Sequence, residues 1–493
     1  MNYQKRLFGK KLKKIMTATW SFYQKNRVLS VFIIIGIVFS VFFRTYNYFE
    51  RISVVNDSSR DAIIGYFARQ NFVLPQIGAF SQAPFFFGPW WYWILFMFYF
   101  IPLGVLTPWY VMTFLSIVFV FLIFLVAKEI GDNIYATVAL FFAAISTDLI
   151  KNSFNIWNPA IIPILSLLLI IFCIRYVKQK STLDLFLAGF ILSLAFTIHF
   201  QTALIAPTIL ISLILRKPTI KQLAVLILSF FIPLLPFIYF DLRFNLFEIK
   251  RIIHYVTVDQ YNYYVPNRWL TYAWDYWPST WSSILGGNSW IIKIVGVFLV
   301  WLSISRLKQF NKYKYYYLIF ASFAVEVILF RYFRGIRFDY YSLFAYPTVI
   351  LLTSWVISEL FKINKLAGLI LFVFISFFTI SSTVDALGDI SPVNYISVKS
   401  IKNDIYLHYP LEKFDVYGIG DSGKNYGLPL GLLIYADNRV SDDGVKVGIF
   451  EEKDGLSWQI LTGEQLKTFK LYSTNPPVVY KDVVEWWKID PPK

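Results

Sequence analysis

Residues able to do acid–base or anion chemistry fall in five short segments of this 493-residue chain. The first runs Asn56-Asp57-Ser58-Ser59-Arg60-Asp61 and leads into an amphipathic stretch, Ala62–Gln70. The second holds Lys151, Asn155, Trp157 and Asn158, and the third His199 and Gln201. The fourth begins Asp241-Leu242-Arg243, and the fifth holds Arg331, Arg334, Arg337, Asp339 and Tyr340. A positioned carboxylate can take a proton from a hydroxyl. Guanidinium groups match phosphate oxygens with paired N–H donors. Together these residue types suit a reaction on a phosphorylated substrate.

Each residue also has a structural competitor. Asp61 could be a solvated helix cap, whereas Asp57 stands in an otherwise charge-poor loop and is the better candidate base. His199 and Gln201 could satisfy backbone groups at a helix end. The Trp and Tyr clusters at 90–93 and 261–281 suit interface anchors better than sugar platforms. Glu326 lies within an apolar run, where a functional role is the default reading and a pair with Arg331 the competing one.

The elements that must position these residues are membrane helices. The chain is 57% hydrophobic and 20% aromatic, with only 15% charged residues, too little polar surface to cover a soluble protein of this size. Its net charge of +16 does not indicate nucleic acid, because the basic residues cluster between apolar runs, as in loops facing anionic lipid. The stretch Val28–Phe43, after a basic lead from Lys5 to Lys14, reads as an uncleaved anchor. One cysteine, Cys173, permits no internal disulfide. Spans are expected at 28–46, 109–127, 133–150, 159–176, 183–198, 202–216, 222–240, 289–305, 315–333, 341–361 and 366–384.

Charge decides the treatment of Trp90–Leu106. If it does not cross, Arg175–Lys180, Arg216–Lys221, Arg306–Lys314 and Lys362–Lys365 share the cytoplasmic side with the basic N-terminus. It is therefore read as a re-entrant or juxtamembrane helix, which leaves about eleven crossings and an extracytoplasmic C-terminus. From about residue 385 charges return and long apolar runs stop. Strand-like runs (Phe414–Ile419, Lys446–Phe450, Phe469–Tyr472, Val478–Val483) alternate with helix-like ones (Ile396–Leu407, Leu428–Ala436). The expected organisation is an α-helical multi-pass membrane domain over 1–384 and a small α/β extracytoplasmic domain over 385–493. No Gly-rich phosphate loop is read from the sequence, and Gly286-Gly287 is isolated.

The ordered runs "VNDSSRDAIIGYFARQNFVLP", "FFFGPWWYWILF", "NSFNIWNPAIIP", "LAFTIHFQTALIAP", "LPFIYFDLRFN" and "FRGIRFDYYSLFAYPTVILL" resemble GT-C fold membrane glycosyltransferases. More closely, they resemble bacterial relatives of protein O-mannosyltransferases and lipid A aminoarabinose transferases. The resemblance covers roughly the first 350 residues. It implies a plasma-membrane glycosyltransferase that takes a sugar from a polyprenyl-phosphate donor at the outer face and passes it to a protein, lipid or glycan acceptor. Asp57 matches the family's acidic motif and is the implied general base, with Asp61 beside it. Arg334, Arg337 and Arg243 are then the phosphate-binding candidates, and Asn155, Asn158, His199, Gln201, Asp241 and Tyr340 the substrate pocket. The family's second acidic residue before proline is replaced here by Asn158-Pro159, which argues against a divalent metal, since a neutral amide is a poor replacement for a carboxylate ligand. No cofactor is assigned; a divalent metal is the open alternative, which Asn158 disfavours. The family's lysine beside the juxtamembrane proline is also missing, with Gly88 before Pro89. The competing readings are a lipid-linked glycan ligase or polymerase and a polyprenyl-lipid transporter.

Overall fold

The structure, a computed structural model, describes residues 26–81, 85–259, 269–333, 337–390, 393–421, 423–452 and 455–474. Seven helical stretches in it are long and apolar enough to cross a membrane: Arg27–Thr45, Thr107–Ile130, Asn158–Gln179, Ile220–Arg243, Ser289–Arg331, Asp339–Ile363 and Lys365–Leu387. The 43-residue stretch Ser289–Arg331 is two helices meeting at the tight turn Leu307–Gln309. Three shorter apolar helices, Asn133–Ile145, Thr182–Ile198 and Phe200–Leu215, pack among them. Every segment expected to cross has a helix, and the chain is a multi-pass membrane protein. Trp90–Phe98 has nine residues, about 14 Å of rise, too short to cross.

One local device recurs where the candidate residues lie. Three short 3₁₀ helices, Asn158–Ile161, Phe200–Ile205 and Asp339–Ala345, each run into an α-helix with proline in its first turn: Pro163, Pro207 and Pro347. Proline's fixed φ and missing N–H suit that position, and the tighter turn before it brings side chains to the helix mouth. Asn158, Gln201 and Tyr340 all sit on these turns, at one end of the bundle. The opposite end holds the basic clusters, three of whose members are paired, in Arg175–Asp184 (3.0 Å), Arg306–Glu359 (3.1 Å), Lys362–Asp132 (2.8 Å) and Lys362–Glu359 (2.6 Å).

A fully buried arginine ties the first helix to its neighbour. Arg44 donates to the carbonyls of Ala143 (3.1 Å) and Ala144 (2.9 Å) and to Ser116 Oγ (2.8 Å). Those carbonyls belong to the last turn of Asn133–Ile145, where a helix leaves acceptors unpaired and carries partial negative charge. Arg44→Met should therefore destabilise the protein by about 2–3 kcal/mol, the worth of charged hydrogen bonds lost in the interior. A detergent-phase thermal melt checks this; a melting temperature equal to wild type would show that the carbonyls find other partners.

The C-terminal segment forms a four-stranded sheet with two helices. Helix Tyr395–His408 precedes β1 (Phe414–Ile419), and helix Gly423–Ala436 joins β1 to β2 (Val445–Glu452). β3 (Gly455–Ile460) and β4 (Leu471–Ser473) follow, in the order β3-β2-β1-β4. β1 and β2 are parallel, with Val416 opposite Val447, while β3 and β4 pair antiparallel on the two sides. The strand at Gly455–Ile460 is not among the expected runs, and the expected Val478–Val483 lies outside the described residues.

The β1-to-helix turn corrects one sequence reading. Gly418-Ile419-Gly420-Asp421-Ser422-Gly423 has the G-x-G-x-x-G spacing and opens a strand–helix–strand unit, where no Gly-rich loop was expected. Packing accounts for it. A Cβ on Gly423 would lie 2.6 Å from the Gly418 carbonyl carbon, one on Gly418 would collide with the Gly423 carbonyl, and Gly420 takes φ +87°.

Candidate functional site

The helix Asn56–Asn71 carries the acidic segment at its first turns, where the backbone dipole favours negative charge. It lies on Trp90–Phe98 so closely that a Cβ on Gly65 would stand 2.7 Å from Leu95 Cβ. The two acids then have different surroundings. Asp61 is fully buried and accepts from Trp91 Nε1 (2.8 Å), Tyr92 OH (3.3 Å) and Arg60 Nε (2.9 Å). Asp57 is half-exposed, with one oxygen 2.7 Å from Arg60 Nη1 and the other without a hydrogen-bond partner among the described residues. Burial pushes the Asp61 carboxyl up to about 6, against the pull of Arg60, so at neutral pH it is ionised and holds Arg60. Arg60 in turn bridges to Asp57. Asp61 thereby holds Arg60 in place, and Asp57, the better candidate base in the sequence, is the accessible carboxylate.

The pocket residues converge around Tyr340. Its ring packs on Trp157 (centroids 4.8 Å), stacks on Phe338 (5.3 Å) and meets Tyr341 edge-on (4.8 Å). Its hydroxyl is close enough to Asp57 to feel that charge. His199 is buried, stacked on Phe87 (5.2 Å) and packed against Tyr340 and Tyr341. Burial pushes its imidazole down to about 3, so it is neutral and contributes hydrogen bonding, not positive charge. Gln201 lies beside His199 and Tyr341, with its Oε1 buried and unpartnered. Asn158 Nδ2 donates to the Ile198 carbonyl (2.9 Å), tying its turn to the start of the His199 turn. Asn155 is half-buried in the loop between helix Thr147–Asn152 and Asn158, and its side chain makes no hydrogen bond among the described residues.

Of the phosphate-binding candidates, Arg337 has the suitable surroundings. Its guanidinium stands 5.3 Å from the rings of Tyr272 and Tyr276, donates to the carbonyls of Arg331 (3.2 Å) and Phe333 (3.3 Å), and keeps a buried, unpartnered Nε. No carboxylate pairs with it among the described residues. Arg243 is exposed, 5.8 Å over the Tyr239 ring, and is not brought to this cluster by any contact among the described residues. Arg334 lies outside the described residues.

One expectation changes, and one competing reading falls away. Asp241 is fully buried, and its oxygens accept the N–H groups of Glu248 (2.7 Å) and Ile249 (3.4 Å), capping helix Phe247–Thr257 rather than lining a pocket. Glu326 faces Thr208 on another helix (3.5 Å), with no ion pair to Arg331 among the described residues. The sequence reading also missed Asp148, which accepts from Tyr346 OH (3.2 Å) and lies near Asp339 and Lys151. It sits at the end of an apolar run taken wholly as a span; its i,i+3 spacing to Lys151 was the available signal.

Glu248 is the second omission. It accepts the N–H of Phe86 (3.0 Å) from the loop that stacks on His199, and burial pushes its carboxyl up to about 8. The folded state thus holds a proton that the unfolded chain releases near 4.5. This contribution to stability is complete below that pH and is lost as pH rises through about 8. The melting temperature should fall across that window, and Glu248→Gln, which keeps an acceptor for Phe86, should flatten the slope. An unchanged slope in the variant would assign the titration elsewhere.

Asp61 accepts four hydrogen bonds from Arg60, Trp91 and Tyr92, Asn158 is an amide, and no group of three or more acidic, His or Cys residues able to hold a metal ion is found among the described residues.

No protein-family model matches the sequence, and no curated protein sequence matches it. Solved structures do. ArnT from Cupriavidus metallidurans, bound to undecaprenyl phosphate, superposes with TM-score 0.57 at 9% identity over 86% of this chain and 93% of its own. The apo form of the same protein gives 0.57 at 8% identity, over 87% and 93%. The archaeal oligosaccharyltransferase AglB from Archaeoglobus fulgidus, in complex with an inhibitory peptide and a dolichol-phosphate, gives 0.50 at 11% identity, over 79% and 60%. The chain thus spans about three fifths of the length of AglB. At these identities the likeness concerns the fold.

Proposed function

We propose that this chain, which has the GT-C fold of membrane glycosyltransferases, transfers a sugar from a polyprenyl-phosphate donor to an acceptor hydroxyl. The transfer takes place at the extracytoplasmic face of the plasma membrane. What supports this reading is an accessible carboxylate, Asp57, near Tyr340, and three residues before that tyrosine an arginine, Arg337, with an unpartnered Nε and no acidic partner among the described residues. The basic clusters at the opposite end support a cytoplasmic N-terminus and an outward-facing site. That a protein of the same fold, ArnT, binds undecaprenyl phosphate supports a lipid-phosphate donor.

In the reaction, Asp57 takes the proton of the acceptor hydroxyl as its oxygen bonds to the anomeric carbon. The bond from that carbon to the phosphate oxygen breaks, and its electron pair leaves with the lipid phosphate. Arg337 stabilises the growing charge, with Arg334 and Arg243 as further candidates. Trp157, Tyr340, His199 and Gln201 flank the sugar with aromatic faces and neutral hydrogen-bonding groups, which suits an uncharged hydroxyl-rich ring. Asp61 acts through Arg60 by fixing Asp57. The transferase unit is assigned to residues 1–384 and a separate C-terminal unit to 385–493.

Ligand-induced stabilisation tests the donor class. Undecaprenyl phosphate should raise the melting temperature of the protein in nanodiscs more than undecaprenyl diphosphate does. The reverse order would favour a ligase acting on diphosphate-linked glycans.

A further inference from the structure

The helix bearing Asp57 is held from two sides. Below it, Asp61, Gly65 and Tyr66 face Trp91, Leu95 and Tyr99 of the juxtamembrane helix. Above it, Tyr435 of helix Gly423–Ala436 sets its ring edge-on to Tyr66 (5.7 Å) and stacked on Phe67 (6.3 Å). Upstream of Asp57 the C-terminal segment makes a second contact. Ser53 forms an antiparallel bridge with Asn394, and Phe49 packs on Tyr395 (5.7 Å). These two contacts flank Asp57 on either side in the chain, and neither touches it.

We infer that the C-terminal unit is a clamp that sets the position of Asp57, with Tyr435 and Tyr395 as its two positioning residues. A helix whose first turn is a functional carboxylate and whose own hydrogen bonds to the bundle run mainly through Asp61 would otherwise pivot on that residue. Aromatic contacts before and after Asp57 remove the pivot. Losing one contact therefore loosens the helix without unfolding either unit.

Amide hydrogen exchange on the full-length protein in nanodiscs tests this independently of the reaction. In Tyr435→Ala, exchange over residues 56–71 should rise about tenfold, while residues 90–98 and the sheet strands keep wild-type protection. Tyr435→Phe, which keeps the ring contacts, should restore protection. Tyr395→Ala gives the same test from the other contact should Tyr435→Ala fail to fold. Unchanged exchange over 56–71 in the folded alanine variants overturns the clamp. A kinetic arm rests on the proposed function: kcat should fall about tenfold in Tyr435→Ala with the donor KM unchanged, since binding groups are untouched. If wild type shows no sugar transfer the functional reading fails, and the exchange result still decides the clamp.

Discussion

Asp57→Asn should lower the rate of sugar transfer by a factor of about 10²–10⁴, the usual contribution of a positioned general base. Stability should hardly change. Asp57 is half-exposed, its bridge to Arg60 is a surface pair worth about 0–1 kcal/mol, and the amide oxygen can still accept from Arg60. Donor affinity should also be retained, because in the proposed reaction Asp57 acts on the acceptor hydroxyl rather than on the phosphate. Release of free lipid phosphate under single-turnover conditions reads the effect directly. Asp61→Asn gives a contrasting signature. It weakens the hold on Arg60, so the loss of rate should come with a changed pH profile near 6, where wild-type Asp61 titrates. A fully active Asp57→Asn would remove the base from the account, whatever the donor proves to be.

The second large effect falls on Arg337. Its alanine variant should lose about 10²–10³ in kcat/KM for the donor, the cost of deleting one fixed donor to a developing negative charge. Arg337→Lys should recover only part of the loss, since a point charge cannot reproduce the planar fork held beside the stacked Tyr272 and Tyr276 rings. Two hydrogen bonds to the carbonyls of Arg331 and Phe333 vanish as well, each worth about 1 kcal/mol, so the melting temperature should be followed beside the kinetics. Retained kcat/KM in a folded Arg337→Ala would move the phosphate to another cation, with Arg243 the next to test.

The parts of this site differ in how far they could be read from the chain. Membrane helices are written in composition, because each needs a long apolar run to satisfy lipid, and every expected span has its helix. The acidic segment stood out for the same reason, as charge where charge is rare. The preference for Asp57 as base was legible, but the burial of Asp61, open to reading as a solvated cap, was not, because it depends on Trp91 and Tyr92, about thirty positions away in the chain. Asp241 read as a pocket residue because a carboxylate at a helix end looks the same whether it caps the next helix or meets substrate; the turn at Phe244–Leu246 decides. Gly418-x-Gly420-x-x-Gly423 passed unnoticed in a region judged by its charge, and only the strand–helix contact shows why those glycines are needed. Asp148 was hidden in a run counted as span. In each case tertiary contacts, not local propensity, carried the missing information.

The most direct measurement of the central claim uses purified protein in nanodiscs with a panel of polyprenyl-monophosphate sugars and matched diphosphate-linked glycans. Free lipid phosphate is followed for wild type and Asp57→Asn. The account predicts turnover of a monophosphate donor by wild type and its loss in the variant. Turnover of a diphosphate-linked glycan, with every monophosphate sugar neither bound nor consumed, would contradict it.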